Sequence, residues 1–380
     1  MYFVHPQIQL KNLIKSKLAL VRPVDEKQLR DRLENYFPGK QIVFTDMGRS
    51  AFKVILDKLN LEGSEIIMPA YICDIFHPIL KEYKIKPIFV DIDANTFHIK
   101  LDEIEKKITP ETKAILVCHT YGLPLNMEPI LSFTRRHNLK VIEDCAHAFG
   151  AKVGDSYAGN FGDVSFFSLY KQFPSLRGGM LICPKEWEVS LPKTSFNFRD
   201  LISFLNCFAV FAFIFKKFGS SVAGKVVRKE KLPEAGGMNR ASLRLFYDFL
   251  DDFKESLPKR KESALFFQEK IKELGFEVQN NGSNVFCYLS VLVPESLKDK
   301  RHDIVKKLRK YRVFCTRIWH TPIILNEEAQ KDYDFNLKDF PNTIDTSKRV
   351  VNFPLQNYYK KKDMEEIIKA IKAVLLYTQN

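Results

Sequence analysis

Short apolar runs alternate with stretches of helical periodicity from residue 41 to about residue 184. The apolar runs are nearly continuous, which is typical of strands whose two faces are both buried in a mainly parallel sheet. Helical patterns separate them, for example at 50–59 and 124–137. The predicted strands lie at 42–44, 65–68, 87–90, 114–117, 140–142, 164–167 and 180–182. This alternation predicts an α/β fold, in which ligands bind at the carboxyl ends of the strands.

The pattern changes after Pro184. A basic, apolar stretch extends to about Arg228, a glycine-containing break follows at 233–237, and a long helical pattern covers 241–274. The remainder mixes β-rich and helical pieces, as in a small α+β domain. The β-rich pieces are 285–293 and 311–318, and the helical ones are 303–310 and 364–377. We expect a large α/β domain at 1–232, with an atypical apolar insert near 198–228, and a smaller C-terminal α+β domain at 233–380.

The composition is that of a packed protein with a basic surface. The 380 residues carry a formal net charge of +13, and 45% of them are hydrophobic. Such a charge suits a membrane surface or an acidic small molecule as partner, or is simply a solvated basic surface. The sequence has no zinc-finger spacing or RNA-binding aromatic signature, so we expect no nucleic acid as partner. The seven cysteines include no CxxC pair and lie mostly in apolar runs, which indicates a reducing, cytoplasmic compartment. The N-terminal residues lack the apolar core of a secretory signal.

A glycine, a cation and a hydroxyl residue follow the first predicted strand. Gly48, Arg49 and Ser50 lie between that strand and the next helical pattern. Such a turn at a helix N-terminus offers free backbone N–H groups to a phosphate. An ordinary loop with Ser50 as the helix N-cap explains the same residues, so this motif depends on the ones that follow.

Two acids and a histidine follow the strand at 140–142. Glu143 and Asp144 lie at its carboxyl end, and His147 comes three residues after Asp144. A carboxylate there suits a protonated pyridine nitrogen, which an electron-withdrawing cofactor ring needs. A helix-capping aspartate with an ordinary buried histidine remains the alternative. We expect no metal, because the neighbouring sequence offers too few ligands.

A lysine ends the strand predicted at 164–167. Lys171 follows Ser168 and Tyr170, either of which suits a phosphate or an amine, and the paired glycines at 178–179 allow a close approach of backbone to ligand. Burial would lower the pKa of the lysine and prepare it for Schiff-base chemistry. A lone lysine at a strand end is usually a solvated one, so the combination of motifs carries the interpretation.

Together these motifs resemble the DegT/DnrJ/EryC1/StrS family of sugar aminotransferases. The resemblance rests on IEDCAHAFGA, GNFGDVSFFSLYK and RGGMLI, with TDMGRSAFKVIL, IIMPAY and HNLKVIED upstream in the usual order. It covers 43–184 well, the segment VVNFPLQNYYKKKDMEEIIKAI more loosely, and 185–229 not clearly. It implies pyridoxal 5'-phosphate (PLP) as cofactor, fold type I of the PLP-dependent transferases, and a homodimer.

The resemblance also implies a role for each matched position. Lys171 matches the lysine that forms a Schiff base with PLP and moves the proton of the reacting carbon. Asp144 matches the partner of the pyridine nitrogen, and His147 matches a position that contacts the ring oxygen. The turn at 48–50 matches the phosphate-binding turn, and Ser168 is a further candidate for the phosphate.

The sequence departs from the family pattern in three places. Family members often have an aromatic residue shortly after the Pro-Ala-Tyr region to stack on the cofactor, but Cys73 falls near that position, so Tyr71, Cys73 or His147 must share this contact. The usual Gly-Glu-Gly-Gly after the lysine reads Leu-Arg-Gly-Gly at 176–179. Asn239 is the candidate for the family's cross-subunit asparagine.

The implied reaction is a ping-pong transamination. Glutamate or glutamine gives its amino group to PLP, and the amine then passes to a keto-sugar that we expect to be nucleotide-linked, as in amino-sugar and polysaccharide biosynthesis. The competing classes are a sugar dehydratase or a lyase on the same fold, and a non-catalytic regulatory protein. Dehydratase relatives carry histidine in place of Lys171, and a non-catalytic protein has no need to keep Asp144 and Lys171.

An apolar run at 201–215, LISFLNCFAVFAFIF, contains Ser203 and Asn206 as its polar members. It is shorter than the roughly 20 residues that a membrane-spanning helix needs. Three interpretations stay open: a buried helix between the domains or at a dimer interface, a helix lying in a membrane surface, and a true span. The second would use the nearby basic residues Arg199, Lys216, Lys217, Lys225 and Arg228.

Overall fold

A computed structural model describes residues 1–12, 22–218, 234–280 and 282–379. All seven predicted strands of the large sheet are confirmed, with ends within two residues of the expected positions. The strands in chain order are β1 (Tyr2–Phe3), β2 (Gln41–Thr45), β3 (Glu65–Pro69), β4 (Lys86–Val90), β5 (Thr112–Cys118), β6 (Lys140–Asp144), β7 (Lys152–Val153), β8 (Ser156–Tyr157), β9 (Val164–Ser168), β10 (Gly179–Cys183), β11 (Glu277–Val278), β12 (Leu289–Leu292), β13 (Val313–Phe314) and β14 (Val350–Phe353).

The central sheet has the strand order β2-β10-β9-β6-β5-β3-β4. Strand β10 is antiparallel to both of its neighbours, and the other adjacent pairs are parallel. Strands β2, β3, β5, β6 and β9 therefore point the same way, and their carboxyl ends meet at one edge. The fold is α/β with a large, mainly parallel sheet, as the sequence predicts.

Helices cover both faces of this sheet, which explains why its strands read as unbroken apolar runs. Ile66 and Met68 of β3 pack into the core on one face, and Ile67 between them packs into the core on the other. The helices are α1 (Glu26–Leu33), α2 (Gly48–Lys58), α3 (Phe76–Glu82), α4 (Leu101–Lys107), α5 (Met127–His137), α6 (Phe198–Asn206), α7 (Ala209–Phe218), α8 (Arg240–Lys272), α9 (Arg301–Leu308), α10 (Glu327–Asp332), α11 (Pro341–Arg349) and α12 (Lys361–Gln379).

Helix α8 contacts two separate cores. Phe246 and Phe253 in its first half pack with residues under the central sheet. Phe267 and Ile271 in its second half pack with the three-stranded sheet β11-β12-β14 and with α12. Strand β1 pairs in parallel with β13, so the first residues of the chain join the C-terminal part. The division into 1–232 and 233–380 stays a prediction.

The two β-rich pieces of the tail are shorter than predicted. The expected strand at 285–293 reduces to β12, because the buried Arg260 donates to the carbonyls of Val285, Phe286 and Cys287 and so occupies the groups that a ladder would use. Phe286 also has φ 50°, which no regular strand accommodates. The expected strand at 311–318 reduces to β13.

The apolar run at 201–215 forms α6 and most of α7, bent by 113° between them. Phe204 and Cys207 are buried, whereas Phe198 is 74% and Val210 62% exposed. Among the described residues no single helix meets the length and hydropathy of a membrane span, although the bent pair does so jointly. Lys225 and Arg228 of the membrane-surface interpretation lie outside the described residues, and the side chains of Lys216 and Lys217 are not described either.

Candidate active site

The phosphate-turn residues lie where β2 ends and α2 begins. Met47 is the N-cap of α2, and its side chain accepts no hydrogen bond from the first amides of the helix. The start of α2 therefore lacks a side-chain cap for its backbone N–H groups. A Cβ on Gly48 would lie 2.4 Å from the Ser168 Oγ, and one on Gly179 would lie 2.5 Å from the Gly48 nitrogen. A larger residue at either position would clash, so the two glycines allow the turn, β9 and β10 to pack closely.

The side chains of this turn differ in their availability to a ligand. The Nε of Arg49 is buried and has no hydrogen-bond partner among the described residues. Such an orphaned donor suits an anion. The Ser50 hydroxyl instead donates to the Oδ1 of the buried Asp46 at 2.5 Å, and Arg177 lies 4.0 Å from the same carboxylate. The turn therefore offers Arg49 and backbone amides more directly than the Ser50 hydroxyl.

The two acids at the end of β6 point to opposite sides of the sheet. Asp144 is fully enclosed, its Oδ1 accepts from the Ala146 amide at 2.9 Å, and the positive charge of Lys171 acts on it. Burial raises the pKa of the Asp144 carboxyl, and the nearby ammonium opposes this rise. Asp144 thus faces the same space as Lys171.

Glu143 serves the structure on the other side. Its two oxygens accept from the amides of Gly159, Phe161 and Gly162, and Oε2 also lies 2.9 Å from the Nε2 of His119. His119 Nδ1 in turn accepts from the Leu125 amide. His119, Glu143 and Cys145 are near enough to resemble a metal site, but a metal would have to displace these N–H donors. The cluster fixes the loop at 159–162 behind the site.

Lys171 lies in a single 3-10 turn at 169–171, directly after β9. Burial lowers its pKa, but the charges of Tyr170, Asp144, Cys73 and Cys287 raise it by more, so that the pKa is above the ordinary value. The expectation that burial would lower the pKa of Lys171 is therefore wrong for the protein alone. The acidic groups that cause the difference come from four other positions in the chain.

His147 lies beside Lys171, with 3.0 Å between Nε2 and Nζ. The Tyr121 amide donates to His147 Nδ1 at 3.3 Å, which places the ring hydrogen of the neutral tautomer on Nε2. Burial and the charge of Lys171 hold the pKa of His147 well below its usual range, so the ring stays neutral. An Nε2–H group and an ammonium group then converge on the same space, an arrangement that a ligand oxygen would satisfy.

Aromatic residues enclose this pair. The Tyr121 ring stacks on His147 at 5.6 Å between centroids, and the Trp319 ring lies 5.0 Å from His147. Tyr121 and Trp319 have φ 59° and 58°, strained values that tertiary contacts must hold. The sequence reasoning missed both residues. Their contacts join distant parts of the chain and leave no local pattern, and Trp319 directly follows the β-rich piece predicted at 311–318.

The remaining predicted residues are near the site in different ways. Tyr71 is buried with its hydroxyl 2.8 Å from that of Tyr121, and does not hydrogen-bond to Lys171. Cys73 is close enough for the charge of Lys171 to lower the pKa of its thiol, although burial raises that pKa by more. Asn239 caps α8 through the Ser242 amide and donates to Asp200, which in turn pairs with Arg177 at 2.9 Å.

These residues fit PLP. Gly48 and Gly179 let the turn, β9 and β10 approach one another closely, and the orphaned Arg49 Nε suits a phosphate. Lys171 supplies an amine, Asp144 a carboxylate for a pyridine nitrogen, and His147 a neutral N–H for a ring oxygen. Asp144 and His147 come from the end of β6 and the loop after it, Lys171 follows β9, and the turn at 48–50 follows β2.

Comparison with known proteins agrees with this assignment. A Shigella dysenteriae protein named dTDP-4-amino-4,6-dideoxy-D-glucose transaminase is 25% identical over 93% of this chain and 90% of its own. A GDP-perosamine synthase of Escherichia coli O157:H7 is 44% identical over 125 residues, which are 32% of this chain and 34% of its own. A Streptococcus pneumoniae protein assigned as a sugar aminotransferase, solved in its PLP form, has a TM-score of 0.75 at 18% identity and 98% coverage of both chains.

The model of the DegT/DnrJ/EryC1/StrS aminotransferase family matches residues 9–372. That range includes nearly the whole chain and every site residue described above. The chain therefore belongs to the DegT/DnrJ/EryC1/StrS aminotransferase family, whose members are PLP-dependent.

Proposed function

We propose that this enzyme transfers an amino group from glutamate or glutamine to a nucleotide-linked keto-sugar, with PLP bound to Lys171. The observation that carries the proposal is the convergence of Lys171, Asp144 and His147 beside a glycine-lined helix N-terminus. The names of similar proteins support the substrate class, since they include transaminases of dTDP-linked and UDP-linked sugars.

Four parts of the chain would hold the cofactor. The Lys171 amine would bind it covalently, and the amides at the start of α2 with Arg49 would bind its phosphate. Asp144 would pair with the pyridine nitrogen, and His147 Nε2–H would donate to the ring oxygen. When bound, PLP supplies an electron-withdrawing ring that stabilises negative charge on the substrate carbon.

The protein's own groups then control protons and water. Lys171 Nζ is the base that takes the proton from the carbon losing its amine and returns one to the carbon gaining it. The Tyr121 amide keeps His147 in the tautomer with hydrogen on Nε2, so its donor does not rotate away. Burial raises the pKa of Asp144, and the ammonium of Lys171 and the Ala146 amide oppose that rise; the ionised carboxylate, shielded from water, would act strongly on a ring nitrogen.

The enzyme would work as a homodimer, with the exposed apolar face of α6 and α7 against a second copy. The face consists of Phe198, Leu201, Val210, Phe211 and Ile214, each 37% exposed or more. Its opposite side is already anchored, because the Ile8 amide donates to the Cys207 carbonyl and Phe213 packs edge-on against Phe314. Burying such a face removes apolar area from water, which favours association.

The direct test is product formation. Purified protein loaded with PLP would be incubated with glutamate or glutamine and a panel of nucleotide-linked keto-sugars, with detection of the aminated product by mass. We expect one substrate to gain an amine in exchange for a carbonyl oxygen, and Lys171→Ala to abolish this. Formation of a dehydrated sugar instead of an aminated one would overturn the proposal.

A further inference from the structure

The loop that carries Trp319 is fixed rigidly beside the site. The Ile318 amide donates to Asn352 Oδ1 at 2.6 Å, and the Ile318 carbonyl accepts from the Tyr121 hydroxyl at 2.6 Å. Trp319 lies against His147, the partner of Lys171. Arg317 and His320, which are close to Trp319 in the sequence, consequently lie near the catalytic lysine.

Arg317 and His320 of this loop and Arg301 at the start of α9 form what we call the cationic cluster. Arg317 Nη1 donates to the Nδ1 of His302 at 3.0 Å, and Arg301 donates to the Ser347 carbonyl. Within the described parts of the chain, neither Arg301 nor Arg317 forms an ion pair with a carboxylate. Because His302 follows Arg301 in the chain, Arg317 and Arg301 belong to one cluster, in which they hydrogen-bond to an imidazole and a carbonyl.

Burial and neighbouring positive charge both oppose the ionisation of these arginines. Burial, and then the charge of Arg317, lower the pKa of Arg301 to about 10. Burial and the charge of Arg309 likewise lower the pKa of Arg317. Positive charges held together without a counter-charge are costly, and a bound anion relieves that cost.

The cationic cluster adjoins the cofactor residues on two sides. The charge of Arg301 reaches Tyr71, whose hydroxyl meets that of Tyr121. His320 is close enough to Asp74 and to both arginines for their charges to act on it. Asp74 follows Cys73, which in turn is close to Lys171. An anion on the cluster would therefore belong to a molecule that also reaches the catalytic lysine.

We propose that Arg301 and Arg317, with His320 beside them, form the subsite that binds the diphosphate of a nucleotide-linked sugar. This inference rests on the proposed function and names the groups that recognise its substrate. A sugar-linked nucleoside diphosphate carries a negative charge on each phosphate, which matches two guanidinium groups. Arginine suits this task because its planar donors bind phosphate oxygens in pairs. The sugar end would then extend past Trp319 toward Lys171.

The test measures binding of UDP, GDP and dTDP to the PLP-loaded enzyme by titration calorimetry. We expect at least one of them to bind, more weakly at high salt, and Arg317→Gln and Arg301→Gln each to weaken it by about tenfold or more. Arg317→Lys should recover part of the loss, since it restores the charge without the fork. Arg135→Gln, an exposed arginine of α5, is the matched control and should bind like the wild type.

Two results would overturn the subsite. One is nucleotide binding that is equal in the wild type and both glutamine variants, with unchanged thermal midpoints showing that the variants are folded. The other is a loss of affinity for glutamate or glutamine alone, which would assign the arginines to the amino donor. The wild-type cofactor spectrum on adding glutamate or glutamine tests the proposed function separately, because it requires an amino donor and no nucleotide.

Discussion

Lys171 and His147 meet with 3.0 Å between their side-chain nitrogens, although they lie on the loops of two different strands. The Tyr121 amide, from the end of a third strand, sets the orientation of the imidazole. The lysine and its neighbour are thus placed by the register of the parallel sheet rather than by any local motif. The predictions below test whether this arrangement serves PLP.

Two substitutions of His147 distinguish the role of its N–H donor from the role of its ring in packing. His147→Gln keeps an N–H donor and should retain most of the turnover, whereas His147→Phe keeps the ring packing against Tyr121 and Trp319 but removes the donor. We expect His147→Phe to reduce kcat on the order of a hundredfold, the usual size of one positioned donor or acid–base group. Steady-state kinetics of both variants with the same substrate decides. Equal activity of the two would mean that His147 only fills space.

Replacing Asp144 tests the charge behind the cofactor ring. Asp144→Asn preserves the shape and the acceptor for the Ala146 amide, but removes the negative charge. Turnover should fall by on the order of a hundredfold, as for other preorganised electrostatic contacts in buried sites. Asp46→Asn is a poor control because Asp46 belongs to the phosphate turn. Asp163→Asn serves instead, because Asp163 precedes β9 and pairs with the exposed Lys140 at the opposite end of β6. Near-normal turnover of Asp144→Asn would assign this residue to the structure alone.

Placing a methyl group on Gly48 should displace the phosphate turn. Its Cβ would lie 2.4 Å from the Ser168 Oγ, so Gly48→Ala must shift the turn or that side chain. We expect PLP affinity to fall about tenfold or more, measured by equilibrium titration of the cofactor-free enzyme. Adding Ser168→Ala removes the closest clashing atom and should restore part of the affinity. Full PLP affinity in the single variant would show that the phosphate does not bind at this turn.

The exposed face of α6 and α7 should control association. Changing Phe198 and Phe211 to serine should shift the protein from dimer to monomer in sedimentation velocity, because the change removes apolar area from the proposed interface. Tyr377→Ser, at a residue that is 72% exposed elsewhere, is the control and should leave the dimer intact. Flotation of the wild type with anionic liposomes, lost in the double variant, would instead assign this face to a membrane surface.

The sequence predicted the central sheet well because its strands are buried on both faces. Ile66 and Ile67 pack into different cores. Because both faces of such a strand are buried, nearly all of its residues are apolar, and the sequence shows this directly. The positions of Lys171, Asp144 and His147 were also predictable, since each lies at the end of a strand or within three residues of it. Their roles remain predictions until the measurements above are made.

Other features depended on contacts between distant residues. The pKa of Lys171 is raised by groups from several strands and loops. The sequence next to Lys171 does not indicate which of these groups will lie near it. The strand expected at 285–293 is cut short by Arg260, which comes from the middle of α8. Tyr121 and Trp319 adopt left-handed backbone conformations that only the folded chain can impose.

The covalent attachment of PLP to Lys171 is the central claim, and borohydride reduction tests it most directly. Reduction of the PLP-loaded protein followed by peptide mapping should place the cofactor on the peptide that contains Lys171. Lys171→Ala should give no labelled peptide while keeping its thermal midpoint. A cofactor adduct on a different lysine, or an unlabelled wild type that nevertheless transaminates, would contradict the account.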